Sequence, residues 1–416
     1  MKKTILYISY SRNSYGYIIQ ASAIAKRLQD LGYRVIFACS EEVITIPTSF
    51  GLTDIINIYE KGPMQAWDTF RVQQSYREIT RKGLANPEYL KACMLDEEAL
   101  IRQFQPDLVM FSFRFTAGII ARRLGVPSVS VMNLNILNYF PELLPVVSES
   151  LQSIGITGDE LCSTVGDYML VPDFPFYQPM HKVPEDLYKS IFSQLTEIKY
   201  IGPVLREDPQ SLPDKSALKS SLFQNDKNVI LTTLGGSVNT EAVIRGLLQT
   251  LTVDGNYIFL TGENVDFEGL QEDLARLRER LPASEIIFEK YSDKPIRFMK
   301  AADLCIIHGG LSTTMEAVLC ATPAIGIPNN DEQRANLDRI VRSKSGVIVE
   351  KDHVSDTINH VIESMLNDSE IISNADKAAE LLANFCNGFD LGKFIEYAVF
   401  FTKHTNQEPK MQTMTA

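Results

Sequence analysis

Short apolar runs alternate with amphipathic stretches from the first residues of the chain. Thr4–Ser9 reads as a buried strand and residues 10–17 as a polar, Gly-containing loop. From there Ile18, Ile24, Leu28 and Leu31 recur at the spacing of one helical face. Gly32 supplies a helix stop, and residues 33–38 are the next strand. The same grammar returns as a strand over 106–111, a helix over 117–124 and a strand over 128–132. A Pro-bearing stretch (Tyr200-Ile201-Gly202-Pro203-Val204, then Pro209 and Pro213) interrupts it. The alternation then restarts with strands over 229–234, 257–260, 286–288, Leu304–Ile307 and 324–327. Helices fall between them over 238–251, 270–280 and 312–320, and another begins near Glu332.

Alternation of this kind predicts an α/β protein with parallel sheets covered by helices. The interruption divides it into two doubly wound, Rossmann-like domains facing a central cleft. The expected boundaries are 1–202, a linker over 203–225, 226–385, and a helix and tail over 386–416, with the helix packing back on the N-terminal domain. In such sheets ligands sit beyond the carboxyl ends of the strands, and a cleft between two domains is the default site. The apolar stretch 136–151 reads either as the lining of an acceptor pocket or as a helix packed on the first sheet. Residues 405–416 are polar and are expected to lack regular structure.

Composition narrows the function. The 416 residues include 52 acidic and 40 basic side chains, a formal charge of −12, without the basic footprint of a nucleic-acid binder. No run approaches the ~18–20 apolar residues of a membrane span, and the N-terminal apolar run is too short for a secretion signal. The six cysteines (Cys39, Cys93, Cys162, Cys305, Cys320, Cys386) show no C-x-x-C and no metal spacing. They read as buried thiols of a cytoplasmic protein without a zinc site.

Candidate chemistry concentrates after the strand Leu304–Ile307, in His308-Gly309-Gly310-Leu311-Ser312-Thr313-Thr314-Met315-Glu316-Ala317. Glycines let backbone approach a ligand closely, and the N-terminus of the following helix suits a phosphate. Ser312 and Thr313 add hydroxyl donors, and His308 stands where it can donate to the same oxyanion. Glu316 falls one turn beyond Thr313, on the same face, and can accept hydrogen bonds from a diol. The segment Thr322-Pro323-Ala324-Ile325-Gly326-Ile327-Pro328 follows, and then Glu332-Gln333 and Asn336.

Residues 308–336 resemble the nucleotide-sugar signature of the UDP-glycosyltransferase superfamily, including its microbial natural-product branch: H-x-G, a Ser/Thr pair, E-A, G-x-P and D/E-Q-x-x-N. The chain has Ala321 and Thr322 where the family has Gly before the proline. The resemblance implies the GT-B fold and an inverting, metal-independent transfer with a UDP-sugar as donor and no other cofactor. It assigns His308, Gly310, Ser312 and Thr313 to the diphosphate, Glu316 to the ribose, and Glu332 and Gln333 to the sugar. Leu234-Gly235-Gly236-Ser237 is similar to the family's phosphate-facing loop, with Gly236 and Ser237 as its contacts, and Gly16 joins the donor site from the N-terminal domain. Tyr291 stands about where the family packs an aromatic ring on the nucleobase. Glu316 favours uridine over thymidine donors, because family members using thymidine-diphosphate deoxysugars often lack it.

The chain departs from the family at the catalytic dyad. Where the family has its base histidine stands Tyr17, and where it has the partner aspartate stands Ser112. Neither is a good base near neutral pH. Arg114 and Asn13 are candidates for holding the acceptor, Arg114 for an acidic group. Three readings follow: a transferase acting on a small-molecule acceptor, a nucleotide-sugar-binding homologue without turnover, and a nucleotide-sugar epimerase on the same scaffold.

Overall fold

The structure, a computed structural model, describes residues 2–10, 15–58, 80–133, 141–175, 185–193, 195–235, 240–262, 265–292 and 294–405. The chain divides into two units, Met1–Val204 with Asn387–Ala416, and Leu205–Cys386.

In the first unit seven parallel strands lie in the order β3-β2-β1-β4-β5-β6-β7. They are β1 (Thr4–Ser9), β2 (Arg34–Cys39), β3 (Ile55–Asn57), β4 (Leu108–Ser112), β5 (Ser128–Val131), β6 (Tyr168–Val171) and β7 (Glu197–Tyr200). β1 and β4 are apolar runs because helices cover both faces of a parallel sheet, and Ile5, Leu6, Tyr7 and Ile8 are fully buried. The order turns between β1 and β4, which places this unit's switch point at the ends Ser9 and Ser112. Helix Leu391–Thr405 packs Phe394, Ile395, Ala398 and Val399 into the same core as Ile5, Tyr7 and Tyr168. Lys3 pairs with Glu396, and the Tyr33 hydroxyl donates to the same carboxylate at 3.0 Å.

The second unit holds six parallel strands in the order β10-β9-β8-β11-β12-β13. They are β8 (Val229–Thr233), β9 (Asn256–Leu260), β10 (Ile286–Glu289), β11 (Leu304–Ile307), β12 (Ala324–Gly326) and β13 (Gly346–Ile348). Residues 203–225, expected as a linker, carry a helix, Lys215–Leu222, capped by the Asp214 carboxylate on the Ala217 N–H at 2.8 Å. Leu218 and Phe223 are buried and Lys219 pairs with Asp303 at 2.8 Å, so the unit begins at Leu205.

The first helix is Tyr15–Asp30, which puts Gly16 and Tyr17 in its first turn instead of a loop. Leu31 lies beyond its end and is 52% exposed, whereas Ile18, Ile24 and Leu28 are fully buried. β3, β6, β7 and β13 have no counterpart in the sequence reading, because three or four residues carry too little periodicity to identify a strand. The apolar stretch 136–151 contributes helix Leu143–Ser153, whose Leu143, Leu144, Val146, Val147 and Leu151 are buried; residues 134–140 lie outside the described residues. The C-terminal helix runs through Thr405, and residues 406–416 lie outside the description.

Candidate active site

In the second unit the strand order turns between β8 and β11, and ligands of doubly wound sheets bind outside the carboxyl ends at such a turn. The two segments leaving those ends are Leu234-Gly235 and His308-Gly309-Gly310. They meet at the His308 imidazole. A Cβ on Gly235 would lie 2.7 Å from its Cε1, and a Cβ on Gly310 would lie 2.7 Å from its Nε2. Glycine on both sides is therefore what lets the ring occupy this place. Gly235 and Gly309 also have φ of 65° and 90°, which other residues rarely adopt. Gly236 and Ser237 lie outside the described residues.

Three buried polar atoms near the strand ends have no hydrogen-bond partner among the described residues: Thr232 Oγ1 on β8, His308 Nδ1 after β11 and Asn329 Oδ1 after β12. Burial also pushes the His308 pKa down to about 4, against a smaller upward pull from the Thr233 backbone. The imidazole is therefore neutral near pH 7.

Helix Leu311–Leu319 starts at Gly310, which supplies no side-chain cap. The N–H groups of Leu311, Ser312 and Thr313 have no acceptor within the helix and carry the positive end of its dipole. Glu316 stands one turn on, half-buried, and burial raises its pKa to about 7 against the pull of the Arg206 guanidinium. Arg206 Nη2 lies 3.4 Å from the Tyr291 hydroxyl, and Tyr291 is 57% exposed. Gly310, Ser312, Thr313, Glu316 and Tyr291 thus share one unit with His308, and Arg206 joins them. The helix is followed by Ala321 at φ 54°, in the left-handed region. Hydrogen bonds from Ala321 N to Val318 O and from Thr322 N to Ala317 O hold that turn.

Glu332 is half-buried in the first turn of helix Asp331–Arg342, and burial raises its pKa. Gln333 is buried and already engaged: its Oε1 accepts from the Asn329 N–H at 2.7 Å, and its own N–H donates to the capping Asn330 carboxamide at 2.9 Å. Asn336 donates through Nδ2 to the Gly309 carbonyl at 3.0 Å. The closing residues of the motif therefore also clamp the glycine turn that carries His308.

At the switch point of the first unit, the expected dyad positions are occupied otherwise. The Tyr17 ring packs on Phe113 with centroids 4.1 Å apart. Phe113 has φ 54°, a strained conformation of the kind that gathers at functional sites. Ser112 Oγ lies 3.0 Å from the Tyr7 hydroxyl, whose pKa burial pushes far above its ordinary value. Gly16 is exposed, and Asn13 lies outside the described residues. Arg114 is not an open acceptor clamp. Its side chain is 1% exposed and its Nε donates to Glu97 Oε1 at 3.0 Å, with Glu97 fully buried. The end of β4 is thus followed by a Tyr17–Phe113 ring contact and a buried Arg114–Glu97 pair.

Two of these residues escape the sequence reading. Glu97 leaves a trace: on helix Pro87–Phe104 it stands among the buried Leu90, Cys93, Leu100 and Ile101, a lone carboxylate on an apolar stripe. Arg206 leaves none, since its partners are distant in sequence.

The ring contact yields a direct test. Gly310 has φ −60° and ψ 137°, which suit alanine. Gly310→Ala is therefore expected to shift the thermal midpoint by only a few degrees. The imidazole, closed in by Gly235 on its other side, would be displaced, and turnover is expected to fall about 10²-fold. Steady-state kinetics beside a melting curve check both halves.

Residues 230–387 match the glycosyltransferase family 28 C-terminal domain. The NDP-glycosyltransferase YjiC of Bacillus subtilis (strain 168) is 23% identical over 380 residues, 86% of this chain and 88% of the relative. Among solved structures, the calicheamicin glycosyltransferase CalG4 matches with TM-score 0.69 at 16% identity, over 98% of this chain and 100% of that one. The glycosyltransferase VinC, solved in complex with dTDP, matches with TM-score 0.68 at 15% identity, over 96% and 100%. At such identities the structural matches establish the fold. Among the described residues no helix is long and apolar enough to cross a membrane.

Proposed function

We infer, from the premise that this chain is a glycosyltransferase of the GT-B fold with a family 28 C-terminal domain over residues 230–387, that it moves a sugar from a UDP-sugar to a small-molecule acceptor with inversion and without a metal. The observation that carries this reading is the His308 imidazole, buried between two glycines beside an uncapped helix N-terminus at the β8/β11 switch point. That arrangement suits a pyrophosphate. The acceptor oxygen would attack the anomeric carbon as the bond to the diphosphate breaks. The leaving charge would fall to the helix N–H groups, Ser312, Thr313 and His308, with Glu316 on the ribose and Glu332 on the sugar. Tyr291 supports the base.

The acceptor side carries the second part of the reading. Ser112 is engaged with Tyr7, and Tyr17 presents a ring packed on Phe113. General-base assistance is typically worth ~10²–10⁴-fold, so an enzyme without that dyad favours acceptors that ionise by themselves, such as acidic phenols or carboxylates. The test is incubation with labelled UDP-glucose or UDP-N-acetylglucosamine and acceptors graded in acidity. Glycosylated phenols with little reaction at simple alcohols are expected. Equal rates on both would remove the acceptor reading. An altered donor formed without acceptor would indicate an epimerase, and tight donor binding without product a binding protein.

A further inference from the structure

A turn made of two glycines is soft backbone and keeps one shape only when it is gripped from outside. Helix Asp331–Arg342 lies directly against it: a Cβ on Gly309 would sit 2.5 Å from the Gln333 carbonyl oxygen and 2.8 Å from Leu337 Cγ. From the same helix the buried Asn336 donates through Nδ2 to the Gly309 carbonyl at 3.0 Å. The next carbonyl, of Gly310, accepts from the Thr314 N–H and from Thr314 Oγ1, both at 2.9 Å. Two helices thus hold the turn, one carbonyl each. The other end of the Asn336 carboxamide faces Arg339, also buried, whose Nη1 donates to Asn336 Oδ1 at 3.3 Å and to the Asn336 carbonyl at 3.4 Å. A guanidinium offers only donors and a backbone carbonyl only acceptors. The two neighbours therefore fix which end of the amide is oxygen and which is nitrogen.

We propose that Asn336 is a positioning residue for the leaving-group step: oriented by the buried Arg339 guanidinium, it holds the Gly309 carbonyl and so keeps the turn that carries His308 in its working shape. The inference rests on the donor site proposed above. Its carboxamide is spent on the protein's own backbone, so its effect reaches the diphosphate through His308.

Asn336→Asp keeps the size of the side chain and its link to Arg339, but sets a second acceptor against the Gly309 carbonyl. With labelled UDP-glucose or UDP-N-acetylglucosamine as donor and a nitrophenol as acceptor, kcat is expected to fall about tenfold while the donor KM changes less. Asn336→Ala removes the donor without adding an acceptor and should lose a similar amount, which keeps the test open if the buried carboxylate disturbs folding. A double-mutant cycle with His308→Ala separates positioning from a general structural loss. The His308→Ala/Asn336→Asp enzyme, or its Asn336→Ala counterpart, is expected to be about as slow as His308→Ala alone. Losses that multiply in full, or a kcat unchanged in the Asn336 variants while His308→Ala is slow, overturn the role of Asn336 alone. A donor KM raised about tenfold at constant kcat does the same, since that marks a ground-state contact with the donor. A His308→Ala enzyme with near-normal turnover, or a wild type that turns over neither donor, removes the donor-site reading as well.

Discussion

Replacing His308 with alanine is expected to lower kcat by about 10²–10³-fold, the loss usual for one preorganised donor to a developing oxyanion. KM for the donor should change less, because the contact strengthens only as the diphosphate departs. The imidazole is buried, and a side chain at either Gly235 or Gly310 would collide with it. In the free protein burial lowers its pKa to about 4, which leaves the imidazole neutral near pH 7. The pH profile of kcat/KM should accordingly show no inflection from this histidine near 6.5, the value of a free imidazole. A His308→Ala enzyme with near-normal turnover would remove the leaving-group role.

Arg114→Ala is expected to destabilise the first unit by about 3–5 kcal/mol, because it strands a buried carboxylate. The thermal midpoint should fall on the order of 10 °C. Glu97 titrates at about 7, raised by burial and restrained by Arg114. Its folded value lies above the unfolded value of 4.5. Its contribution therefore favours folding fully below 4.5 and is lost as pH rises through 7. Removing Arg114 enlarges that loss, so the deficit should be greater at pH 8 than at pH 5. The pair Glu97→Leu with Arg114→Met, which removes both charges, should recover most of the stability. Melting curves of the three variants at both pH values check this. A stable Arg114→Ala protein that fails only with acidic acceptors would restore the acceptor role that the sequence suggested for this residue.

The contrast between these two residues shows what was legible in the chain. His308 was readable because its whole setting is local: a strand end, two glycines, a helix start and a carboxylate one turn later lie within nine residues. Arg114 looked like an exposed fork because the residues that bury it, Glu97 and Tyr89, lie on a separate helix. Gln333 was read as a sugar contact, yet its side-chain oxygen is held by the Asn329 N–H, a bond that exists only once the preceding turn has closed.

By itself the sequence determined the alternation of strand and helix, the division into two doubly wound units and the glycine turn after β11, because periodicity, glycines and helix starts act over a few residues. Tertiary structure alone decided which charges are buried. It set the burial of His308, the pairing of Arg114 with Glu97, and the approach of Arg206 to Tyr291. Desolvation and long-range contact depend on what the rest of the chain brings near, and no local pattern encodes that.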